Sequence, residues 1–224
     1  MLIALREQGE KYLGYNISTI ALATPFLPAL YPEDIFDALE YVGLDYYVHD
    51  PLDPLKTRML HDNRATYAGY GFGLCDNYTD VTACKAQHRR DWQGRGEFIF
   101  AILYTKTSLA ATVTHLIGAY SVIESPIRLR QLGSDTRLNN PNEEYYWEAV
   151  RQTILHELMN FHYVHLSKVI VTGDSAQDET FLRFLEATIS SVREHEVELL
   201  YRDPVYVTAK GAAEMAKRAV YIGE

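Results

Sequence analysis

The run Val169-Ile170-Val171-Thr172, halted at Gly173-Asp174-Ser175 and followed by a helical stretch from Glu179, constrains this chain more than any other feature. An unbroken β-branched run reads as a buried strand. Glycine frees the backbone for a tight turn, and a helix opening just beyond it presents unpaired backbone N–H groups to whatever sits above, often a nucleotide. Gly173, Asp174 and Ser175 therefore either line a nucleotide-binding turn or form an ordinary strand-to-helix turn, with Ser175 or Asp178 as the helix cap.

The other segments supply layers to pack against that strand. Residues 17–22 are apolar and end at Thr24-Pro25, which predicts a buried strand leaving a sheet. Pro32-Glu33-Asp34 opens a helix that carries Ile35, Leu39 and Val42 on one face and stops at Gly43. Residues 44–48 read as a strand, followed by a loop marked by Pro51 and Pro54. Residues 64–70 form a small-residue helix, and the polar stretch 75–95 is expected to be a surface loop or short ribbon. Residues 97–104 and 109–115 read as two strands joined by a tight turn at Thr105-Lys106-Thr107, with a third strand over 119–125. Residues 142–165 give the longest helix, with Tyr146, Ala149, Ile154, Leu158 and Phe161 near one face. Strands, a hairpin and long helices together imply an α/β layered architecture.

Charge and composition exclude several classes. A net charge of −9 with no basic block disfavours nucleic acid and anionic membrane surfaces. With 224 residues, 47% hydrophobic and 23% charged, the chain can bury a substantial core. No run approaches the length of a membrane span. The start, residues 1–6, is too short and too soon charged to be a signal peptide, so the sequons at Asn16 and Asn77 are read as chance matches. Cys75 and Cys84 are too few for a disulfide framework or a cysteine-only zinc site, and a reducing, cytoplasmic setting is the simpler expectation.

Several segments, taken in order, resemble the ATPase domain of the heat-shock chaperones and so the actin-like ATPase superfamily. Ile20-Ala21-Leu22-Ala23-Thr24-Pro25-Phe26, with the helix to Gly43 and Leu44, is similar to that family's strand, Val-Pro-Ala-Tyr loop and Ala-Gly-Leu helix end. Residues 64–71 resemble its first connecting helix, which ends in Ala-Tyr-Gly. The hairpin from Phe98 to Leu116 takes the place of its second phosphate loop, and Leu132-Gly133-Ser134-Asp135 resembles the Leu-Gly-Gly-Glu-Asp that follows. Val171-Thr172-Gly173-Asp174-Ser175 resembles its adenosine loop, and Asp203-Pro204 with Lys210-Gly211-Ala212-Ala213 its closing helix.

The resemblance implies a reduced actin-like, ribonuclease H-like α/β fold of two lobes. Residues 1–95 would be the remnant of the first lobe, 96–204 the second, and 205–224 a closing helix returning to the first. It implies ATP or ADP with magnesium, held by Gly173, Asp174, Ser175, Gln177, Thr105, Lys106, Thr107 and Gly133. Three departures point away from hydrolysis. The family's opening Gly-Ile-Asp-Leu-Gly-Thr-Thr turn has no counterpart, as in an N-terminally reduced paralogue or a fragment. The Asp-Leu-Gly-Gly-Gly-Thr of its hairpin reads Ile102-Leu103-Tyr104-Thr105-Lys106-Thr107, without acid or glycine. Only about thirty residues separate Asp135 from Val169, where the chaperones carry a helical clamp over adenine and ribose.

A degenerate nucleotide-fold domain acting as a binding or scaffold module is therefore expected, with weak adenosine affinity at most and no catalytic residue. If the chain is part of a longer protein, the missing segment would restore an ATPase. Thr105, Lys106 and Thr107 either bind an anion through hydroxyls and an ammonium or form a solvated turn. Gln177 stands where the chaperones have an adenine-stacking arginine. A second class, a metal-dependent hydrolase, rests on His156, His162 and His165, of which only the last two share a helix face. An uncovered first lobe predicts a homo-oligomer, or a partner chain that supplies the missing strands.

Overall fold

The computed structural model describes every residue except 1, 26, 28, 29, 47, 48, 51, 52, 58, 95, 120, 125, 126, 194, 223 and 224. The chain opens with α1 (Leu2–Leu13), β1 (Thr19–Ile20), β2 (Ala23–Thr24), α2 (Pro32–Tyr41), β3 (Asp45–Tyr46), β4 (His49–Asp50), β5 (Asp53–Thr57) and β6 (Leu60–His61). It continues through α3 (Asp62–Gly69), α4 (Val81–Gln93), β7 (Glu97–Tyr104), β8 (Leu109–Ile117), β9 (Ser121–Glu124) and β10 (Arg128–Arg130). The last elements are α5 (Ser134–Leu138), α6 (Glu143–Asn160), β11 (Leu166–Thr172), α7 (Glu179–Ser190), β12 (Glu198–Leu200) and α8 (Val207–Ile222).

The fold is mixed α/β, built on one mixed sheet in the order β10-β8-β7-β11-β12, with β9 also paired to β8. The β7–β8 hairpin is antiparallel from Glu97↔Leu116 to Tyr104↔Leu109. Strand β11 runs parallel to β7, and β12 parallel to β11. The expected hairpin and the expected β-branched strand thus lie side by side.

Side-chain alternation sends the sheet's two faces to different helices. Phe100, Ile102 and Tyr104 of β7, with Val169 and Val171 of β11, pack under Tyr146, Val150, Ile154 and Leu158 of α6 and Phe181, Leu185 and Ile189 of α7. Ile99, Leu116 and Ile170 face the other way, onto Ala65 and Ala68 of α3 and Ala212 and Met215 of α8. A strand covered on both faces is apolar at successive positions, which is why Val169-Ile170-Val171 shows no alternation of hydrophobic and polar residues. Helices α3 and α8 cross closely, with the hydroxyls of Thr66 and Thr208 2.8 Å apart.

Polar ties fasten these layers. Glu97 at the start of β7 accepts from Tyr67 of α3 and, at 2.5 Å each, from Ser167 and Lys168 of β11. Burial opposes ionisation of Glu97, but those three donors outweigh it and hold the carboxyl below the usual carboxylate range. Arg193 closes the C-terminal end of α6, donating to the carbonyls of Leu158, Phe161, His162 and Val164 at 3.0–3.2 Å. Leu158 lies in the last turn of α6 and the other three just beyond it, so one guanidinium ties the helix end to the segment that leaves it.

The N-terminal segment departs from expectation. In place of one buried strand over 17–22 there are two-residue strands in separate small sheets, β1 with β3 and β2 with β6. Thr19 is exposed and Ile20 only half-buried. The strand expected over 44–48 is Asp45–Tyr46 among the described residues. Tyr47, Val48, Pro51, Phe26, Arg95 and Ser125 lie outside them. Helix α1, which composition did not announce, buries none of its residues.

The stretch 75–95, expected as a surface loop or short ribbon, contains helix α4, capped where the Asp80 side chain accepts from Ala83 N at 2.9 Å. Cys75 and Cys84, expected as unpaired thiols, are joined in a disulfide. The cap places the first turn of α4 beneath Cys75, a proximity invisible in the spacing. Among the described residues, no helix is long and apolar enough to cross a membrane.

Candidate functional site

Seven of the eight expected nucleotide-contacting residues meet at the ends of β7 and β11. The Thr105–Ser108 turn closes on itself, Thr105 N donating to Ser108 O at 2.9 Å and the two hydroxyls lying 2.9 Å apart. The segment after Gly133 docks on it, with Ser134 N donating to Thr105 O at 3.1 Å and Asp135 N to Lys106 O at 2.9 Å. The turn after β11 arrives from the other side, where Ser175 N donates to Tyr104 O at 3.2 Å and the Ser175 and Ser134 hydroxyls lie 2.9 Å apart. Beneath them the hydroxyls of Tyr104 and Tyr146 are 3.0 Å apart and fully buried, Tyr146 donating to Leu132 O at 2.9 Å. Burial raises the pKa of both phenols, so both are neutral donors.

One contact decides what this cluster can hold. Lys106 N–H, the donor a phosphate-cradling turn would present, is taken by the Asp174 carboxylate at 2.9 Å. An internal carboxylate already fills the anion position and repels a second anion. The Lys106 side chain is exposed, in keeping with a solvated turn.

The cleft between α3 and the sheet is equally closed. Asp62, Asn63 and Thr66 face Ala101, Ile102, Thr112, Ile170 and Thr172 across a space of about 10 Å³. That is room for roughly one water. Asn63 Nδ2 donates to Thr114 Oγ1 at 2.8 Å, and Arg64 Nε to Ala119 O at 3.1 Å. Sequence reasoning missed Asp62, because an acid in a helix's first turn is ordinarily a solvated partner of the dipole. Here burial of the carboxyl, only partly offset by the Asn63 amide, raises its pKa from 3.8 to about 6.

That carboxyl makes stability fall with rising pH. Asp62 is protonated in folded and unfolded chains alike below pH 3.8, and ionised in both above about 6. Between them only the folded chain holds the proton, so the stability its neutral carboxyl confers at low pH is lost across that window. Asp62→Asn is therefore expected to exceed the wild type at pH 7 by up to roughly 3 kcal/mol and to match it near pH 3.5. Urea melts at the two pH values check this, and an equal gap at both would remove the buried acid.

Gln177, the eighth residue, lies elsewhere. It borders an open groove of about 580 Å³ with Tyr70, Phe72, Tyr201 and Arg202 along β12. The Tyr70 hydroxyl donates to Arg202 O at 3.1 Å, and burial pushes its pKa up to about 12.

The three histidines weighed as metal ligands do not converge. His156 borders a groove with Arg130 and Met159, His162 Nδ1 lies 2.9 Å from Met159 O, and His165 stacks on His195 at 4.2 Å. The helix ends at Asn160, so His162 and His165 do not continue its face. Among the described residues, the one set of three or more donors close enough for an ion is Cys75, Cys84 and His88.

No protein-family model matches the chain, and no curated protein matches it.

Proposed function

We propose that this chain is a degenerate actin-like, ribonuclease H-like domain that works as a binding or scaffold module and does not hydrolyse ATP. The hairpin and the β-branched strand sharing one sheet support that reading, as do α3 and α8 packing together on one face of that sheet. The observation that carries the loss of activity is the Asp174 carboxylate on Lys106 N–H. Magnesium and ATP do not fit the residues present. Ile102 stands at the acid's place, the turn amide is occupied and the cleft holds one water's volume.

Adenosine affinity, if the domain retains it, belongs to the groove beside Gln177, whose Tyr70, Phe72 and Tyr201 rings suit a base better than a triphosphate. The surface for a second copy or a protein partner is the N-terminal segment, where α1 leaves Leu5 62% and Ile3 50% exposed. Calorimetry with magnesium ATP and a phosphate-release assay test this reading. The expected result is affinity weaker than about 1 mM and no release above the blank. Submillimolar binding with turnover overturns it.

A further inference from the structure

We infer that Cys75, Cys84 and His88 form a site for one thiophilic cation, zinc(II) above all, when the cysteines are thiols. The Cys75–Cys84 disulfide and this metal site are then alternative states of the same three side chains.

The geometry is that of a ligand set. Cys84 and His88 are four residues apart on α4 and share its face, with His88 Nε2 3.5 Å from Cys84 Sγ. All three donor atoms lie within 4.8 Å of one another. A tetrahedral zinc with Zn–S near 2.3 Å and Zn–N near 2.0 Å has a sulfur–nitrogen edge of about 3.5 Å, so His88 and Cys84 already stand at ligand spacing. Thiolates with an imidazole select zinc or copper(I) over magnesium or calcium. Three protein ligands leave a fourth position for water or a small ligand.

The scaffold around the cluster is also held by hydrogen bonds outside the sulfur–sulfur bond. Gln87 clasps the loop before α4, accepting from Asp76 N at 3.0 Å and donating to Leu74 O at 3.4 Å, and Cys75 lies between those two residues. Asp80 fixes the first turn of α4 below it. Both cysteines are 1% exposed and His88 6%, with Tyr78 packed over them. Lys217 and Arg218 of α8 sit 4.7 and 4.9 Å from the Tyr78 ring centre, so the cluster's cover is also a contact of α8. A state change at the sulfurs is thereby felt at the end of that helix.

The chemistry balances. A dithiol reductant cleaves the Cys75–Cys84 bond, leaves as its own cyclic disulfide, and yields two thiols. A divalent cation then displaces the two thiol protons, giving a metal dithiolate completed by neutral His88. A newly made chain is in the thiol form before any oxidation, so it needs no reductant to take the ion.

Cobalt(II) reports the site directly. The chain is unfolded, reduced, and refolded without oxygen in the presence of one equivalent of cobalt. We expect a sulfur-to-cobalt charge-transfer band at one ion per chain, absent from the oxidised chain and bleached by zinc. His88→Ala is expected to weaken cobalt binding by about 10-fold or more. Zinc is expected to raise the melting temperature of the reduced chain, and not that of Cys75→Ser/Cys84→Ser. A reduced, folded chain without the band overturns the inference, as does an unchanged affinity in His88→Ala. A reduced chain that cannot fold even with zinc, while the oxidised chain folds, overturns it as well.

Discussion

Gly211→Ala is expected to cost about 3 kcal/mol or more, enough to unfold a marginal domain. Intrinsic propensity argues the other way, since alanine beats glycine inside a helix by about 1 kcal/mol. Local geometry decides. A Cβ on Gly211 would stand 1.6 Å from Ala65 O and 2.6 Å from Gly69 N, both rigid backbone atoms of α3. Helices α3 and α8 would have to move apart by more than an ångström, opening the layer that Ala65, Ala68, Ala212 and Met215 build with Ile99 and Ile170. They would also pull the Thr66 and Thr208 hydroxyls out of contact. The matched control is Ala213→Gly, two residues on and exposed, expected to cost only about 1 kcal/mol. Urea unfolding followed by circular dichroism measures both, and a Gly211→Ala protein as stable as the wild type would disprove the close crossing.

That crossing shows where sequence reading succeeds. The 97–104 and 109–115 segments announce their strands through β-branched and aromatic residues around a polar turn, and β7 and β8 form there. Helix α6 is legible from its length and apolar face, and α2 from Pro32 and Gly43. These signals are local, and local signals survive folding because a helix bonds its own backbone and a hairpin pairs two neighbouring strands. Helix α4 fails the same test. Its sequence is mostly polar, and among its residues of described burial Cys84 and His88 are the deeply buried ones. Its one readable mark is the Asp80 cap.

The candidate site was legible as a list of residues and not as a chemistry. Thr105, Lys106, Gly133, Gly173 and Ser175 come together because the ends of neighbouring strands β7 and β11 coincide. Whether their amides stay free depends on a contact between Lys106 and Asp174, 68 residues apart. No periodicity encodes such a pair. The acid at 174 reads equally as a turn former, a ligand contact or a plug, and only its position beside the hairpin turn makes it the last. Asp62 is the complementary case, an acid whose sequence context suggests solvent and whose packing removes it.

Gly173→Ala is expected to spring this interlock open and to lower stability by about 3 kcal/mol. The backbone there has φ 110°, a conformation that costs a residue with a Cβ about 1–3 kcal/mol. Such a Cβ would also lie 2.2 Å from Tyr104 O, the acceptor for Ser175 N. Relief of that clash lengthens the Ser175–Tyr104 hydrogen bond and carries Asp174 away from Lys106 N, losses of about 1 kcal/mol each. Asp174→Ala removes only the second of these and is expected to cost about 1 kcal/mol. Amide hydrogen exchange separates the two effects. In Gly173→Ala both the Lys106 and Ser175 amides should exchange faster, whereas in Asp174→Ala only Lys106 should. If Gly173→Ala keeps the wild-type melting temperature with both amides protected, the hairpin turn and the strand-to-helix turn are not interlocked. A Lys106 amide that exchanges without protection in the wild type would instead be free to meet an anion, and the case against a phosphate site would go with it.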